Sequence, residues 1–198
     1  MAVPPPFPAG MTAGTPDKKV LRAQLRAARD GFAAQSETGI VAPPAFVARL
    51  KPGLVVASYC PMGSEADPAP LAAAAIEHGC RIALPHVVDR ATPIRFLEWE
   101  IGAPLVDGPF GLRQPHGDSR ERAPDIILTP LIGFDRRLNR LGQGAGHYDR
   151  AFARHEAAWR VGVAWAVQEI PAVPTDIWDV PLHAVITEEG MIAHEEND

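Results

Sequence analysis

Between Leu131 and Arg150 the chain sets Gly142, Gly144 and Gly146 at alternate positions, among Arg136, Arg137, Arg140 and Arg150 and the acids Asp135 and Asp149. Such a run suits a phosphate group. Glycine has no Cβ, so backbone N–H groups can approach an anion, and a helix beginning directly afterwards turns the positive end of its dipole toward it. Arginines offer bidentate donors to phosphate oxygens, and Asp149 offers a hard oxygen ligand to the divalent cation that accompanies a polyphosphate. The GxGxG spacing is neither the GxGxxG of dinucleotide folds nor the GK[ST] ending of a P-loop, and taken alone it reads equally as a tight turn. Arg140, the Arg136-Arg137 pair and Tyr148-Asp149 add the weight.

The elements that must hold this loop follow from hydrophobic periodicity. Asp125 to Pro130 reads as a short apolar strand entering it, and Tyr148 to Ala157 as the helix leaving it. Upstream, Thr15-Pro16-Asp17 supplies an N-cap, a proline at the first helical position and an early acid. Leu21, Leu25, Ala28 and Phe32 then recur at helical spacing. The other face carries Lys18, Arg22, Arg26 and Arg29; a solvated face is the expectation for Arg26 and Arg29. A further helix is expected after Pro43-Pro44. Leu54 to Ala57 is a buried strand, an alanine-rich helix runs from Asp67-Pro68 through Ile76 to a stop at Gly79, and Arg81 to Pro85 is the next strand. Pro93 to Glu100 alternates as an aromatic-faced strand, Trp159 to Ala166 is another, and His183 to Thr187 pairs with Met191 to Ala193 as a hairpin. The alternation of strands and helices predicts a three-layer α/β/α sandwich on a mostly parallel central sheet, with ligands beyond the carboxyl ends of its strands.

Composition bounds the function. With 198 residues and 46% apolar content, a single α/β domain is expected over residues 17–198, behind a proline-rich disordered tail at 1–16 in which Met11 is an alternative start. The net charge of −5 argues against nucleic-acid or membrane partners, so clustered arginines are local features. Cys60 and Cys80 lack zinc spacing and read as two buried free thiols. With no apolar run of membrane-spanning length, a cytoplasmic protein is expected. His78, His86, His116 and His155 show no ligand spacing and read as surface groups.

Phe134-Asp135-Arg136-Arg137 with Asn139 to Arg150 resembles the signature of the 5-formyltetrahydrofolate cyclo-ligase family. Lys18-Lys19-Val20-Leu21-Arg22, Gly63-Ser64-Glu65 with Pro70-Leu71, and Gly108-Pro109-Phe110-Gly111-Leu112 resemble three further family segments, so the likeness runs from Lys18 to Thr187. The resemblance implies an ATP- and Mg²⁺-dependent ligase that closes the ring of 5-formyltetrahydrofolate, with or without a polyglutamate tail, to 5,10-methenyltetrahydrofolate. It implies catalytic roles for Lys18, Arg140 and Tyr148. ATP is expected on Lys18, Arg22, Arg140 and the segment Leu141, Gly142, Gln143, Gly144, Ala145, Gly146, His147 and Tyr148. Mg²⁺ is expected on Asp149 and Asp179, and folate against Cys60, Glu65, Phe110, Gln143 and His147. Plainer readings stand beside these: Lys19 in place of Lys18, Asp176 or Asp179 as turn caps, Glu65 as an exposed loop acid and Phe110 as a core ring.

The chain departs from the family pattern at Gln143, Ala145, His147 and Arg113. At the first three positions the implied contacts rest on the backbone, and His147 serves equally as a pH-sensitive ligand contact or a planar packing surface. A non-catalytic folate- or nucleotide-binding regulator on the same fold is the second expectation. A third is a sugar-phosphate isomerase or acyl-CoA transferase on a related scaffold. A monomer or weak dimer is expected.

Overall fold

A computed structural model describes residues 17–194; the proline-rich start, with Thr15 and Pro16, lies outside the described residues. In chain order the elements are α1 (Lys18–Ala33), α2 (Pro44–Val47), β1 (Val55–Ala57), α3 (Ala69–Glu77), β2 (Arg81–His86), β3 (Arg95–Glu98), β4 (Val106–Asp107), β5 (Arg113–Gln114), β6 (Ile126–Pro130), β7 (Gly133–Phe134), β8 (Arg140–Leu141), α4 (His147–Arg154), β9 (Trp159–Val163), β10 (Ala184–Thr187) and β11 (Gly190–Ala193). The main sheet has seven strands in the order β11-β10-β9-β6-β1-β2-β3. Its five central strands pair in parallel, and β11 and β3 close the two edges antiparallel.

Both faces of this sheet are covered, which is why its strands read as unbroken apolar runs. Along β6, Ile126 and Leu128 point into a core shared with Phe46 of α2 and Leu71 and Ala75 of α3, while Ile127 points to the opposite core with Ala151 and Phe152 of α4. The layered α/β architecture expected from the sequence is therefore present. At the edge, β3 buries Phe96 and Leu97 on opposite faces, rather than presenting one aromatic face. Its Glu98 is held by Arg81 at 3.0 Å and Arg122 at 2.9 Å.

Several local expectations are revised. The N-cap of α1 is Asp17, whose carboxylate accepts from the Lys19 N–H at 2.8 Å, so the helix opens two residues beyond Thr15. The buried stripe of α1 is Leu21, Leu25 and Arg29. Arg29 is 7% exposed, against the solvated face expected of it. A ribbon of β7 and β8 lies between β6 and the glycines, and α4 starts at His147 and stops at Arg154, three residues short of the expected end. β9 ends at Val163, where the chain turns into a single 3-10 turn at Ala166–Gln168. His86 and His155 are half-buried rather than on the surface, with His155 tilted against Phe96. Of the two free cysteines, Cys80 is buried but Cys60 is half-buried.

Asp135 turns out to be structural. It is 2% exposed, and its carboxylate accepts from the backbone N–H of Arg137, Asn139 and Val173 and from the Asn139 amide, all at 2.9 to 3.0 Å. It thereby ties the β7–β8 turn to the segment before β10 and fixes where the glycine segment begins. Removing it leaves buried donors without an acceptor. Asp135→Ala is expected to lower the unfolding free energy by about 3 kcal/mol in urea titrations, and a loss below about 1 kcal/mol would sink this account.

Candidate active site

A cavity of about 770 Å³ opens where three neighbouring parallel strands end. Residues just past β1 (Tyr59, Cys60), at and past β2 (Pro85, Val87) and at the end of β6 (Pro130) form its floor. This is the position expected of a ligand in an open α/β sheet. All sixteen residues singled out from the sequence line it: Lys18, Arg22, Cys60, Glu65, Phe110, Arg140 to Asp149, and Asp179.

One wall is α1, used as a ruler. Lys18 at its start places Nζ 2.6 Å from Asp176 and 3.2 Å from Asp179. One turn on, the Arg22 Nε donates to the Gly142 carbonyl at 2.8 Å, and a further turn brings Arg26 to the Gln143 side chain at 2.5 Å. Arg29 ends the row, donating to Ser64 at 2.9 Å and standing 3.8 Å from Glu65. Eleven residues at 1.5 Å each separate Lys18 from Arg29 by roughly 16 Å. Burial works against the Lys18 ammonium, but hydrogen bonds to Asp176 and Asp179 outweigh it and hold its pKa above the usual lysine value.

The opposite wall is the glycine segment. Gly144 sits at φ +99° and Gly146, the N-cap of α4, at φ +66°, the left-handed backbone that glycine adopts without strain. Arg140, its side chain 6% exposed, meets Asp149 at 2.6 Å and lies 5.1 Å over the Phe152 ring. The Tyr148 hydroxyl is pushed up by burial and by Glu65, so it stays protonated. Glu65 is no exposed loop acid: its side chain is 7% exposed, and it accepts from the Met62 N–H at 3.0 Å and from the Gln143 amide at 3.2 Å.

Phe110 is not a core ring. It is 53% exposed at φ +61°, capped by Arg90 5.4 Å from its centroid, on a turn that Gln114 anchors by accepting from the Val87 N–H. The Cys60 thiol is pushed up by burial and is therefore mostly neutral. Arg136 and Arg137 do not line the cavity; Arg136 is paired with Glu169 at 2.7 Å.

His147 has a defined tautomer. A guanidinium only donates, so the contact from Arg150 Nη2 at 3.1 Å makes Nδ1 the acceptor and leaves the proton on Nε2. That Nε2 is buried without a partner, as are Arg140 Nε and Arg29 Nη1 on the same cavity.

Residues 14–188 match the sequence model of the family described as 5-formyltetrahydrofolate cyclo-ligase. The chain belongs to that family. It is 36% identical to the 5-formyltetrahydrofolate cyclo-ligase of Mycolicibacterium smegmatis over 155 residues, 71% of this chain and 77% of the relative. A shorter match to the Haemophilus influenzae 5-formyltetrahydrofolate cyclo-ligase is 35% identical over 97 residues, 46% of this chain, and spans about half of that relative, 52%. Among solved structures, the Aquifex aeolicus 5,10-methenyltetrahydrofolate synthetase superposes with a TM-score of 0.62 at 25% identity, covering 92% of this chain and 87% of its own.

Within this member of the cyclo-ligase family, sequence reasoning passed over Arg90 and Trp178, gave Arg113 and Asp176 no place in the site although both line the cavity, and undervalued Arg26 and Arg29. The continuation of the Lys18–Arg22 stripe by four and then three residues was the available signal for the last two. Among the described residues no helix is long and apolar enough to cross a membrane.

His147, His155 and His183 all titrate below the usual histidine value, in each case chiefly through burial, with Arg150 and Arg90 adding to the effect at His147. A depressed histidine binds its proton more readily when unfolded, so stability is full above the unfolded pKa of about 6.5 and falls as pH drops through the folded value. Urea melts are expected to show lower stability at pH 5.5 than at pH 7.5. The difference should shrink in His147→Phe, and an unchanged difference would contradict the buried neutral imidazole.

Proposed function

We propose that this protein is an ATP- and Mg²⁺-dependent 5-formyltetrahydrofolate cyclo-ligase, forming 5,10-methenyltetrahydrofolate, ADP and phosphate. The observation that carries the reading is the cavity's surplus of buried donors. Arg29 Nη1, Arg140 Nε and His147 Nε2 are enclosed with no hydrogen-bond acceptor, beside Lys18, Arg22 and the glycine backbone. Buried donors of this kind are costly unless an acceptor arrives, and a polyphosphate brings acceptors in number.

On this reading Lys18 and Arg22 hold phosphates from α1, and Arg140 with the backbone of Leu141 to Tyr148 cradles them from the other side. Glu65 accepts from the N–H donors of the pterin, while Cys60, Phe110, Gln143 and His147 shape the folate pocket. The formyl oxygen attacks the γ-phosphorus and ADP leaves. N10 then adds to the activated carbon, loses its proton, and the carbon–oxygen bond breaks with departure of phosphate. The protein's work is positioning and charge compensation, which suits phosphoryl transfer. Tyr148, held protonated, keeps a hydroxyl proton to donate.

Asp149 and Asp179 would hold Mg²⁺, which compensates phosphate charge when bound. They fit the ion as partly exposed carboxylates on the cavity wall, 25% and 23% exposed. Among the described residues no group of three or more His, Cys, Asp or Glu could hold a metal. Phosphate oxygens and water would supply the remaining ligands, and Mg²⁺ is expected to bind with nucleotide. We read the protein further as a cytoplasmic monomer or weak dimer acting on free or polyglutamylated folate; the net charge of −5 bears only on the expected lack of nucleic-acid and membrane partners.

The test is to combine protein, 5-formyltetrahydrofolate, ATP and Mg²⁺ and follow the methenyl chromophore. ATP-dependent appearance is expected; folate binding without turnover would instead favour a regulator. Asp149→Asn should abolish measurable turnover with folate affinity retained. Lys18→Ala should raise KM for ATP about tenfold, and Arg140→Ala should lower kcat about 10²-fold or more. Glu65→Ala should raise KM for folate with KM for ATP unchanged. Parent rates in both Lys18→Ala and Asp149→Asn would overturn the site.

A further inference from the structure

Trp178 is the one large aromatic on the cavity for which neither the packing nor the proposed mechanism has a use. Three of the four tryptophans are packed: Trp165 donates to the Ser64 carbonyl at 2.9 Å, Trp99 to the Ala103 carbonyl at 3.0 Å, and Trp159 stacks on Phe46. Trp178 is 66% exposed and still lines the cavity. Its backbone is fixed. It is the third residue of a turn closed by the Asp179 N–H on the Asp176 carbonyl at 3.0 Å, and the Asp176 N–H donates back to the Asp179 carboxylate at 2.8 Å. Both acids are bound to Lys18, which docks the turn against the start of α1.

The α1 ruler says what this ring faces. Along α1, Lys18 and Arg29 lie roughly 16 Å apart, and Glu65 stands against Arg29 while Asp176 and Asp179 stand against Lys18. A flat heterocycle bound through Glu65 is held at the opposite end of this row from the turn that carries Trp178. A nucleoside triphosphate whose phosphates lie between Lys18, Arg22 and the glycine backbone can direct its base toward the Lys18 end, where the turn that carries Trp178 is docked. We propose that Trp178 is the nucleobase-stacking residue of this site, presenting a fixed indole face to the purine of ATP. The inference rests on the nucleotide reading above and adds the group that separates ATP from a bare polyphosphate. Stacking needs only the π-face and tolerates water on the other side of the ring, in keeping with the exposure of Trp178.

The experiment compares Mg·ATP with Mg·tripolyphosphate on the parent protein, Trp178→Ala and Trp178→Phe. ATP should quench the parent's tryptophan fluorescence and tripolyphosphate should not. Trp178→Ala should raise the dissociation constant and KM for ATP roughly tenfold, the scale of one lost base–aromatic stack. Tripolyphosphate affinity and KM for 5-formyltetrahydrofolate should stay unchanged, and Trp178→Phe should recover most of the ATP affinity. If the parent binds ATP and Trp178→Ala binds it equally well, or loses ATP and tripolyphosphate alike, the stacking role is overturned and the nucleotide site stands. If the parent binds neither ligand, the nucleotide reading itself falls, and this inference with it.

Discussion

Seven Lys and Arg side chains share one cavity with four carboxylates, in a chain whose net charge is −5. Two unit charges 4 Å apart near a protein surface interact by about 4 kcal/mol, so cations gathered this way must each be offset locally or the wall would splay. The structure offsets them in pairs: Lys18 with Asp176 and Asp179, Arg140 with Asp149, Arg29 with Glu65. Arg22 and Arg26 turn instead to the Gly142 carbonyl and the Gln143 amide oxygen, so the glycine segment is itself part of the compensation. These contacts bind α1 to the 176–179 turn, to Glu65 and to the glycine segment, and bind Arg140 to α4.

That dependence explains how a thin scaffold holds the site. The floor comes from the ends of β1, β2 and β6, rigid because both faces of the sheet are buried. The walls are less firmly built. α1 packs against the β7–β8 ribbon and the segment after β9 through a small cluster in which Leu21 and Leu25 meet Ile132, Leu141, Ile170 and Val173, and its polar face does the rest of the positioning. The glycine segment follows a two-residue ribbon whose turn is organised by the buried Asp135. Apolar packing fixes where α1 lies, and the ionic row fixes its register along the cavity.

What could be read from the residues follows the same division. The parallel strands were legible because burial on both faces writes itself as runs such as Ile126-Ile127-Leu128, and α4 because the glycine run ends where its apolar period begins. The cavity residues were legible by resemblance, carried by types and spacing. Arg29 was not, because a helical stripe of cations looks the same whether it meets water or a buried glutamate 35 or so residues further along the chain. Phe110 was legible only by resemblance: an aromatic ring beside glycine also has the pattern of a core residue, and its exposure on the cavity goes with a left-handed backbone angle that no periodicity reports. Asp135 and Asp149 are equivalent in composition, but four hydrogen-bond donors make the first structural, while an arginine and an open cavity leave the second available.

The pairing has a consequence for how such a site loads. On the proposed reading, two of the cations that meet phosphate are held by the carboxylates that would meet the metal, Lys18 by Asp179 and Arg140 by Asp149, while Arg22 is held by the Gly142 carbonyl. Introducing a polyphosphate without its cation would set those carboxylates against the incoming charge, and introducing the cation without phosphate would set it against lysine and arginine. Metal and polyphosphate arriving together let both sets of pairs exchange partners, so that no group passes through a buried, uncompensated state of the sort that costs several kcal/mol. Under the proposed function, the resting ion pairs would favour the complex over either component. They do so at a modest free-energy cost, because the carboxylates being exchanged are about a quarter exposed and their resting pairs are correspondingly weak.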